Sequence, residues 1–223
     1  MRLFCFAPAG GSATLFYPWL RRVPREIDVC PVQLPGHGTR VGEPPCRRIE
    51  GVLEAFGSAV QSRLDLPFAL FGHSMGAWIA YGAARRLRSP GHLFVSANLP
   101  PPVSPVAARQ APPSESELLA RLRQLGGMPE SLLRHEELMA AVLPVFAADL
   151  ALLDSCHRGP DSQVSCPITA CAGIDDPLFR PAELEAWSAL TPLAFRRHVF
   201  PGGHFYLEPE RDSLLRIIVR ALA

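Results

Sequence analysis

A serine stands at the centre of a five-residue segment that has glycine at both ends. Residues 72–76 read Gly-His-Ser-Met-Gly, follow an apolar run typical of a strand and precede an amphipathic stretch typical of a helix. The glycines permit a tight turn between the two, because side chains there would collide with neighbouring backbone. Such a turn exposes the serine hydroxyl, so the sequence predicts Ser74 as a nucleophile.

A serine hydroxyl needs a base to take its proton, and the base needs a carboxylate to orient it. His204 lies in a Pro-Gly-Gly-His-Phe segment directly after a predicted strand. Asp176 also follows a predicted strand and precedes a proline that fixes the turn, with Asp175 as the competing carboxylate. His198 is the alternative base, but it lies inside a strand pattern. We therefore predict a catalytic set of Ser74, Asp176 and His204.

The negative charge that develops on an attacked carbonyl must be met by two backbone N–H groups. Met75, the residue after the nucleophile, is predicted to supply one of them. The other is expected from the glycine-rich loop 7–12 after the first strand. Ala9 is the predicted donor in that loop, because Pro8 has no N–H.

Short β-rich runs alternate with helical stretches along most of the chain. The predicted strands are 3–7, 27–33, 68–71, 93–97, 168–172 and 194–200, and the predicted helices are 49–64, 75–87, 181–190 and 211–222. This alternation predicts a mostly parallel sheet flanked by helices. Parallel strands place the loops that carry the serine, the acid and the histidine at one edge.

One segment interrupts the alternation. Residues 100–113 are rich in proline, and 114–156 contain three helical pieces with no strand between them. We predict a helical lid inserted at about 100–160, although an ordinary bundle of core helices would give the same pattern. Gly126 and Gly127 should end the first helix, and Pro144 should break the chain of helices before 145–153.

Composition excludes several classes of function. The 223 residues contain 22 basic side chains, all arginine, and 21 acidic ones, so no strong field favours nucleic acid or an anionic membrane. The six cysteines are scattered, which predicts buried free thiols in a reducing cytoplasm. No histidine spacing suggests a metal site, and no run is apolar for long enough to indicate a signal peptide or a membrane span. One domain covering 1–223 is expected.

The chain resembles the stand-alone type II thioesterases that accompany polyketide synthases and nonribosomal peptide synthetases, which have the α/β-hydrolase fold. The resemblance runs nearly end to end and is carried by five ordered blocks: 6–13 (Phe-Ala-Pro-Ala-Gly-Gly-Ser-Ala), 32–36 (Val-Gln-Leu-Pro-Gly), 70–77 (Leu-Phe-Gly-His-Ser-Met-Gly-Ala), 125–127 (Leu-Gly-Gly) and 200–205 (Phe-Pro-Gly-Gly-His-Phe). Carried over by position, the family's triad falls on Ser74, Asp176 and His204, and its oxyanion donors fall on Ala9 and Met75.

The resemblance implies hydrolysis of acyl or aminoacyl thioesters on the phosphopantetheine arm of a carrier protein. It implies a cytoplasmic monomer whose partner is an acyl or peptidyl carrier protein, with no cofactor of its own. A small-molecule carboxylesterase or lipase, or an acyltransferase, would use the same triad. The family's arginine after the Leu-Pro-Gly run is His37 here, its Pro-His pair stands as Ala7 and Pro8, and a common glutamate is Gly82.

Within this interpretation, apolar side chains of the lid are expected to bound an acyl pocket and exclude water. These side chains are Leu118, Leu122, Met139, Leu143 and Phe146. Arginine clusters could meet an acidic carrier protein, although charge groups on helices are more often solvated surface. The clusters are Arg21-Arg22, Arg85-Arg86-Arg88 and Arg196-Arg197.

Overall fold

A computed structural model describes residues 1–87, 90–101, 112–156 and 162–223. Arg88, His157 and most of the predicted proline-rich segment lie outside these ranges. Six parallel strands form one sheet in the order β2-β1-β3-β4-β5-β6. The strands are β1 (Arg2–Phe6), β2 (Asp28–Val32), β3 (Phe68–His73), β4 (His92–Ser96), β5 (Ile168–Gly173) and β6 (Phe195–Phe200).

Helices cover both faces of the sheet, as the predicted alternation requires. The α-helices are α1 (Ile49–Val60), α2 (Met75–Arg86), α3 (Glu115–Leu125), α4 (Glu130–Leu133), α5 (Glu136–Cys156) and α6 (Arg211–Leu222). Two longer segments, Ala13–Arg21 and Pro181–Leu190, consist of 3-10 turns, and shorter ones form at Gly38–Arg40 and Gln61–Arg63. The 3-10 segment Ala13–Arg21 is not among the elements that the sequence predicts.

The side chains of each strand divide between two apolar clusters because successive residues point to opposite faces of a sheet. In β1, Phe4 and Phe6 join the cluster under α1, α2 and α5, whereas Leu3 and Cys5 join the cluster under the Ala13–Arg21 segment and α6. The sheet is therefore buried on both sides, and its functional groups must lie at the ends of the strands.

The helices α3, α4 and α5 form an insertion between β4 and β5. Helix α3 begins with a capping box between Ser114 and Glu117 and ends at Gly126, which has a left-handed backbone (φ +73°), so the predicted end at Gly126 and Gly127 is confirmed. The insertion contributes buried side chains to the main core, as a bundle of core helices would, and its role as a lid stays a prediction.

The predicted break at Pro144 is wrong, because α5 runs without interruption from Glu136 to Cys156 with Pro144 inside it. A proline removes one hydrogen bond from a helix, and here the turns on both sides are long enough to maintain the rest. By length and composition this helix could cross a membrane (mean hydropathy 1.8). It instead buries Phe146 and Asp149 against the protein, so it is a packed helix of the fold.

Candidate active site

Ser74 lies at the turn between β3 and α2, in a backbone conformation that side chains rarely adopt (φ +55°, ψ −118°). A Cβ atom on Gly72 would overlap the carbonyl of Gly76, and a Cβ on Gly76 would overlap the carbonyl of Phe6 in β1. The glycines are needed because α2 begins almost in contact with the sheet. This close approach holds Ser74 at the carboxyl ends of the strands, partly exposed.

The structure brings the three predicted side chains into one chain of hydrogen bonds. Ser74 Oγ lies 2.9 Å from His204 Nε2, and His204 Nδ1 lies 2.8 Å from Asp176 Oδ2. His204 and Asp176 are 1% and 7% exposed, so water does not compete for the bond between them. Asp176 Oδ1 accepts a further bond from the N–H of Leu178 (3.0 Å). This arrangement orients the imidazole with Nε2 facing the serine.

The two alternatives from the sequence lie elsewhere. Asp175 is exposed to solvent, and its backbone N–H donates to the carbonyl of Gly202 (3.0 Å). His198 lies on the edge strand β6, where burial lowers its pKa and the charge of Arg196 adds to that effect. The bond from Asp175 joins the acid loop to the histidine loop, and so helps Asp176 reach His204.

Sequence reasoning missed the side chains that brace the nucleophile turn. The N–H of Ser74 donates to the carbonyl of Ser96 at the end of β4 (2.7 Å), and Asn98 donates from Nδ2 to the carbonyl of Ser74 (3.0 Å). Beneath the turn, Ser96 Oγ lies 2.9 Å from His73 Nδ1 and 2.7 Å from the hydroxyl of Tyr206. His73 is next to Ser74 in the sequence, but Ser96, Asn98 and Tyr206 are distant, and no motif or spacing connects them to Ser74.

His73 is fully buried beside the nucleophile, and its Nδ1 faces Ser96. Burial holds its pKa well below the usual range, and the nearby His204, with ring centroids 5.4 Å apart, lowers it further. The ring is therefore neutral at physiological pH. It adds no positive charge that would oppose protonation of His204.

The predicted oxyanion donors belong to two elements, α2 and the loop after β1. Met75 is the first residue of α2, where N–H groups have no partner within the helix. In the loop after β1, the N–H of Gly11 closes a turn on the carbonyl of Pro8 (2.9 Å), and the N–H of Gly10 donates to Asp149 Oδ2 (2.7 Å). Pro8 has no N–H, and the N–H groups of Gly10 and Gly11 are engaged, so Ala9 stays the predicted donor of this loop.

A cleft of about 310 Å³ opens beside Ala9, between the loop 7–12, called the oxyanion loop, and the insertion. Apart from Glu208 and the polar groups of the loop, its walls are apolar: Leu122 and Leu125 of α3, Met128, Val142 of α5, and Phe205 next to His204. A Cβ on Gly127 would overlap the ring of Phe205, so this glycine lets the insertion pack on the histidine loop.

Of the five apolar side chains predicted to bound an acyl pocket, Leu122 lines this cleft and Phe146 packs beneath Gly10. The other three, Leu118, Met139 and Leu143, line a separate open groove between the helices of the insertion.

A parallel sheet covered by helices on both faces, with a serine turn after its third strand, is the α/β-hydrolase fold that the sequence predicts. Known proteins identify the class more closely. The thioesterase domain family matches residues 1–222. GrsT, the gramicidin S biosynthesis protein of Aneurinibacillus migulanus, is 35% identical to the chain over 227 residues, which cover 100% of this chain and 89% of that protein.

Two solved structures share the fold over nearly the whole chain. BorB, the type II thioesterase from the borrelidin biosynthetic cluster, has a TM-score of 0.87 and 37% identity, covering 100% of this chain and 92% of that one. RedJ, the thioesterase of the prodiginine pathway in Streptomyces coelicolor, has a TM-score of 0.87 and 38% identity, covering 99% and 85%. The chain therefore belongs to the thioesterase domain family, and it is a hydrolase of thioesters that is similar to type II thioesterases.

Proposed function

We propose that this protein hydrolyses acyl or aminoacyl thioesters on the phosphopantetheine arm of carrier proteins in polyketide or nonribosomal peptide synthesis, in the cytoplasm. The observation that carries the proposal is the hydrogen-bonded series Ser74–His204–Asp176, with His204 within 2.9 Å of the serine hydroxyl. The names of GrsT, BorB and RedJ support the biosynthetic setting. The role is clearance of acyl groups that block carriers.

In the first step Ser74 Oγ attacks the thioester carbonyl while His204 Nε2 takes the hydroxyl proton. Asp176 accepts the hydrogen bond from Nδ1–H and stabilises the imidazolium that forms. The N–H groups of Ala9 and Met75 meet the oxyanion of the tetrahedral intermediate. Collapse of this intermediate breaks the carbon–sulfur bond, and the thiolate takes the proton from His204. A thiol with a pKa of about 8.5 is a good leaving group.

In the second step a water molecule attacks the acyl-serine, with His204 as its base. Collapse of the second tetrahedral intermediate returns the proton to Ser74 Oγ and releases a carboxylic acid. The reaction consumes one water and requires no cofactor of the enzyme, because phosphopantetheine arrives with the partner. The apolar cleft between the oxyanion loop and α3 suits the acyl chain.

The carrier must approach the carboxyl edge of the sheet, where Ser74 lies. Two of the arginine clusters do not suit this approach. Arg22 follows a 3-10 segment that runs back from the end of β1, and Arg86 ends α2, which runs back from Ser74. Arg22 and Arg86 thus lie toward the opposite edge. Docking is better sought around the cleft, where Glu208 and the insertion helices border the entrance.

The proposal is tested with a carrier protein loaded with acyl groups of graded length and polarity, against simple acyl esters of the same acids. We expect release of the free acid from the loaded carrier, seen by mass spectrometry, and a much lower kcat/KM for the esters. Ser74→Ala should abolish release, and Ser58→Ala, an exposed serine of α1, should not.

Three outcomes would contradict this proposal. Preference for the simple esters would favour a carboxylesterase or lipase. Transfer of the acyl group to an alcohol or amine in place of water would favour an acyltransferase. Full turnover by the Ser74→Ala variant would remove the mechanism.

A further inference from the structure

A buried ionic contact joins three elements around the oxyanion loop. Asp149 of α5 is 1% exposed, and its Oδ2 lies 2.9 Å from Nε2 of His37, which is 5% exposed and follows β2. The same Oδ2 accepts the N–H of Gly10 (2.7 Å). The two side chains are 112 positions apart in the sequence and belong to neither the triad nor the walls of the cleft.

The hydrogen-bond partners of His37 determine where its protons lie. Nδ1 lies 2.9 Å from the carbonyl of Pro35, which can only accept, so Nδ1 carries a proton. Nε2 faces a carboxylate oxygen that already accepts the Gly10 N–H. A neutral ring with its proton on Nδ1 would turn a lone pair toward this oxygen, so the contact requires a second proton. The pair is therefore an imidazolium bound to a carboxylate.

The charges around this pair favour that state. Burial opposes the charge on His37, but the hydrogen bond and negative charge of Asp149, together with the Pro35 carbonyl, raise its pKa above the usual value. In the described residues, the other titratable groups nearby are Cys46, whose pKa is raised mainly by burial, and Arg40 and Glu43, which pair with each other.

Helix α5 contacts the oxyanion loop at three successive positions on one face. Val142 lines the cleft with Ala9 and Gly10, and the ring of Phe146 lies 3.4 Å from where a Cβ of Gly10 would be. Asp149 then holds the N–H of Gly10. Positions separated by four and three residues share a helix face. The N–H of the peptide that follows Ala9 is thus held by the insertion.

We propose that Asp149 and His37 are positioning residues for the oxyanion hole: through the N–H of Gly10 they set the direction of the Ala9 N–H, and they couple it to the position of α5. This rests on the proposed function, in which Ala9 stabilises the oxyanion. Displacing that donor should affect the transition state and leave binding of the loaded carrier almost unchanged.

The test uses the full chain with an acyl-loaded carrier protein. Asp149→Asn removes the charge, and His37→Gln keeps a donor but no cation. Both should lower kcat by roughly tenfold with KM within about threefold, a smaller loss than the 10²–10³-fold that follows removal of an oxyanion donor. Glu137→Gln, an exposed carboxylate of α5, is the matched control and should behave as the wild type.

His37→Arg tests the role of the positive charge. Arginine stays protonated, so this variant should keep kcat near the wild-type value at neutral pH and lack the alkaline fall in kcat that loss of the His37 proton causes.

Several results would overturn the inference. One is a wild-type kcat in both Asp149→Asn and His37→Gln, and another is an increase in KM alone, which would make the pair part of the binding site. A His37→Arg variant as slow as His37→Gln would also contradict it. If Asp149→Asn fails to fold by circular dichroism, the His37 variants decide the question. Ser74→Ala is assayed in parallel. Its activity tests the proposed function alone, because the mechanism requires Ser74 whether or not Asp149 and His37 position the oxyanion hole.

Discussion

Two sets of loops face the same reacting atoms, and they are held by different means. The turns that carry Ser74, Asp176 and His204 are fixed mainly by backbone contacts: glycines pack against carbonyl groups, and Asp175 and Ile174 bond to the backbone of the histidine loop and β6. The loop that carries Ala9 is fixed by side chains of α5. The first set cannot move without the sheet, whereas the second follows the insertion.

Because of this difference, the triad is held by the sheet, whereas the loop that carries Ala9 depends on the insertion. A proton relay needs fixed distances between three side chains, and the sheet provides them. The oxyanion loop borders the apolar cleft, where the insertion also supplies a wall. We therefore expect changes in the insertion to affect both the cleft and the rate, while the triad is unchanged.

The largest effect is expected from Asp176→Asn. The amide would donate to His204 Nδ1 and favour the tautomer with its proton on Nε2, which cannot accept the proton of Ser74. We expect kcat to fall by about 10⁴-fold with little change in stability. Asp175→Asn is the matched control, since Asp175 is exposed, and should stay within about twofold. Equal losses in the two variants would mean that the acid is wrongly assigned.

Gly76→Ala tests whether backbone packing holds the nucleophile turn. Its Cβ would overlap the carbonyl of Phe6, which belongs to the sheet and cannot yield cheaply. We expect a loss of about 3 kcal/mol or more in the free energy of unfolding, measured in urea, or no folded protein.

The control for this variant is Gly57→Ala in α1, where nothing lies within 4 Å of the new Cβ. Replacing a helical glycine there should stabilise the protein by up to about 1 kcal/mol. Equal stability of the two variants would contradict the account of the turn.

Ser96→Ala tests whether the side chains beneath the nucleophile turn also stabilise it. The change leaves His73 Nδ1 and the hydroxyl of Tyr206 without the partner that they share. Because both groups are buried, we expect a loss of about 2 kcal/mol in urea unfolding. The exposed Ser58→Ala should change it by less than about 0.5 kcal/mol. A neutral Ser96→Ala would show that the backbone alone supports the turn.

The smallest effect concerns pH. Because the pKa of His37 is raised in the folded protein, the folded state holds this proton more tightly than the unfolded chain does. The contribution of the pair is complete below the unfolded pKa of about 6.5 and is lost as pH rises through the raised folded pKa. The free energy of unfolding in urea is measured at about pH 6 and about pH 9, and the loss between them that is due to His37 should be absent in His37→Arg. If His37→Arg lost the same stability between these pH values as the wild type, another titratable group would be the cause.

Much of the edge that carries the triad could be predicted from local sequence. Each of Ser74, Asp176 and His204 follows an apolar strand, and parallel strands bring such positions together. The preference for Asp176 over Asp175 depended on the proline that follows Asp176, because adjacent residues otherwise share the same local pattern. Only the position of His204 distinguishes them.

The region around the oxyanion loop was less predictable. The contact between His37 and Asp149 joins residues more than a hundred positions apart, and no spacing indicates it. Pro144 has the local signature of a helix break, but the packing of α5 overrides it. Side-chain contacts between distant elements are determined by tertiary packing, which periodicity does not describe.

The two edge strands of the sheet, β2 and β6, carry features that oppose pairing with another strand. On β2, Pro31 removes a backbone donor, and on β6, Arg196 and Arg197 place charge along the strand. Both devices discourage another strand from extending the ladder. The sheet is thereby protected from edge-to-edge aggregation.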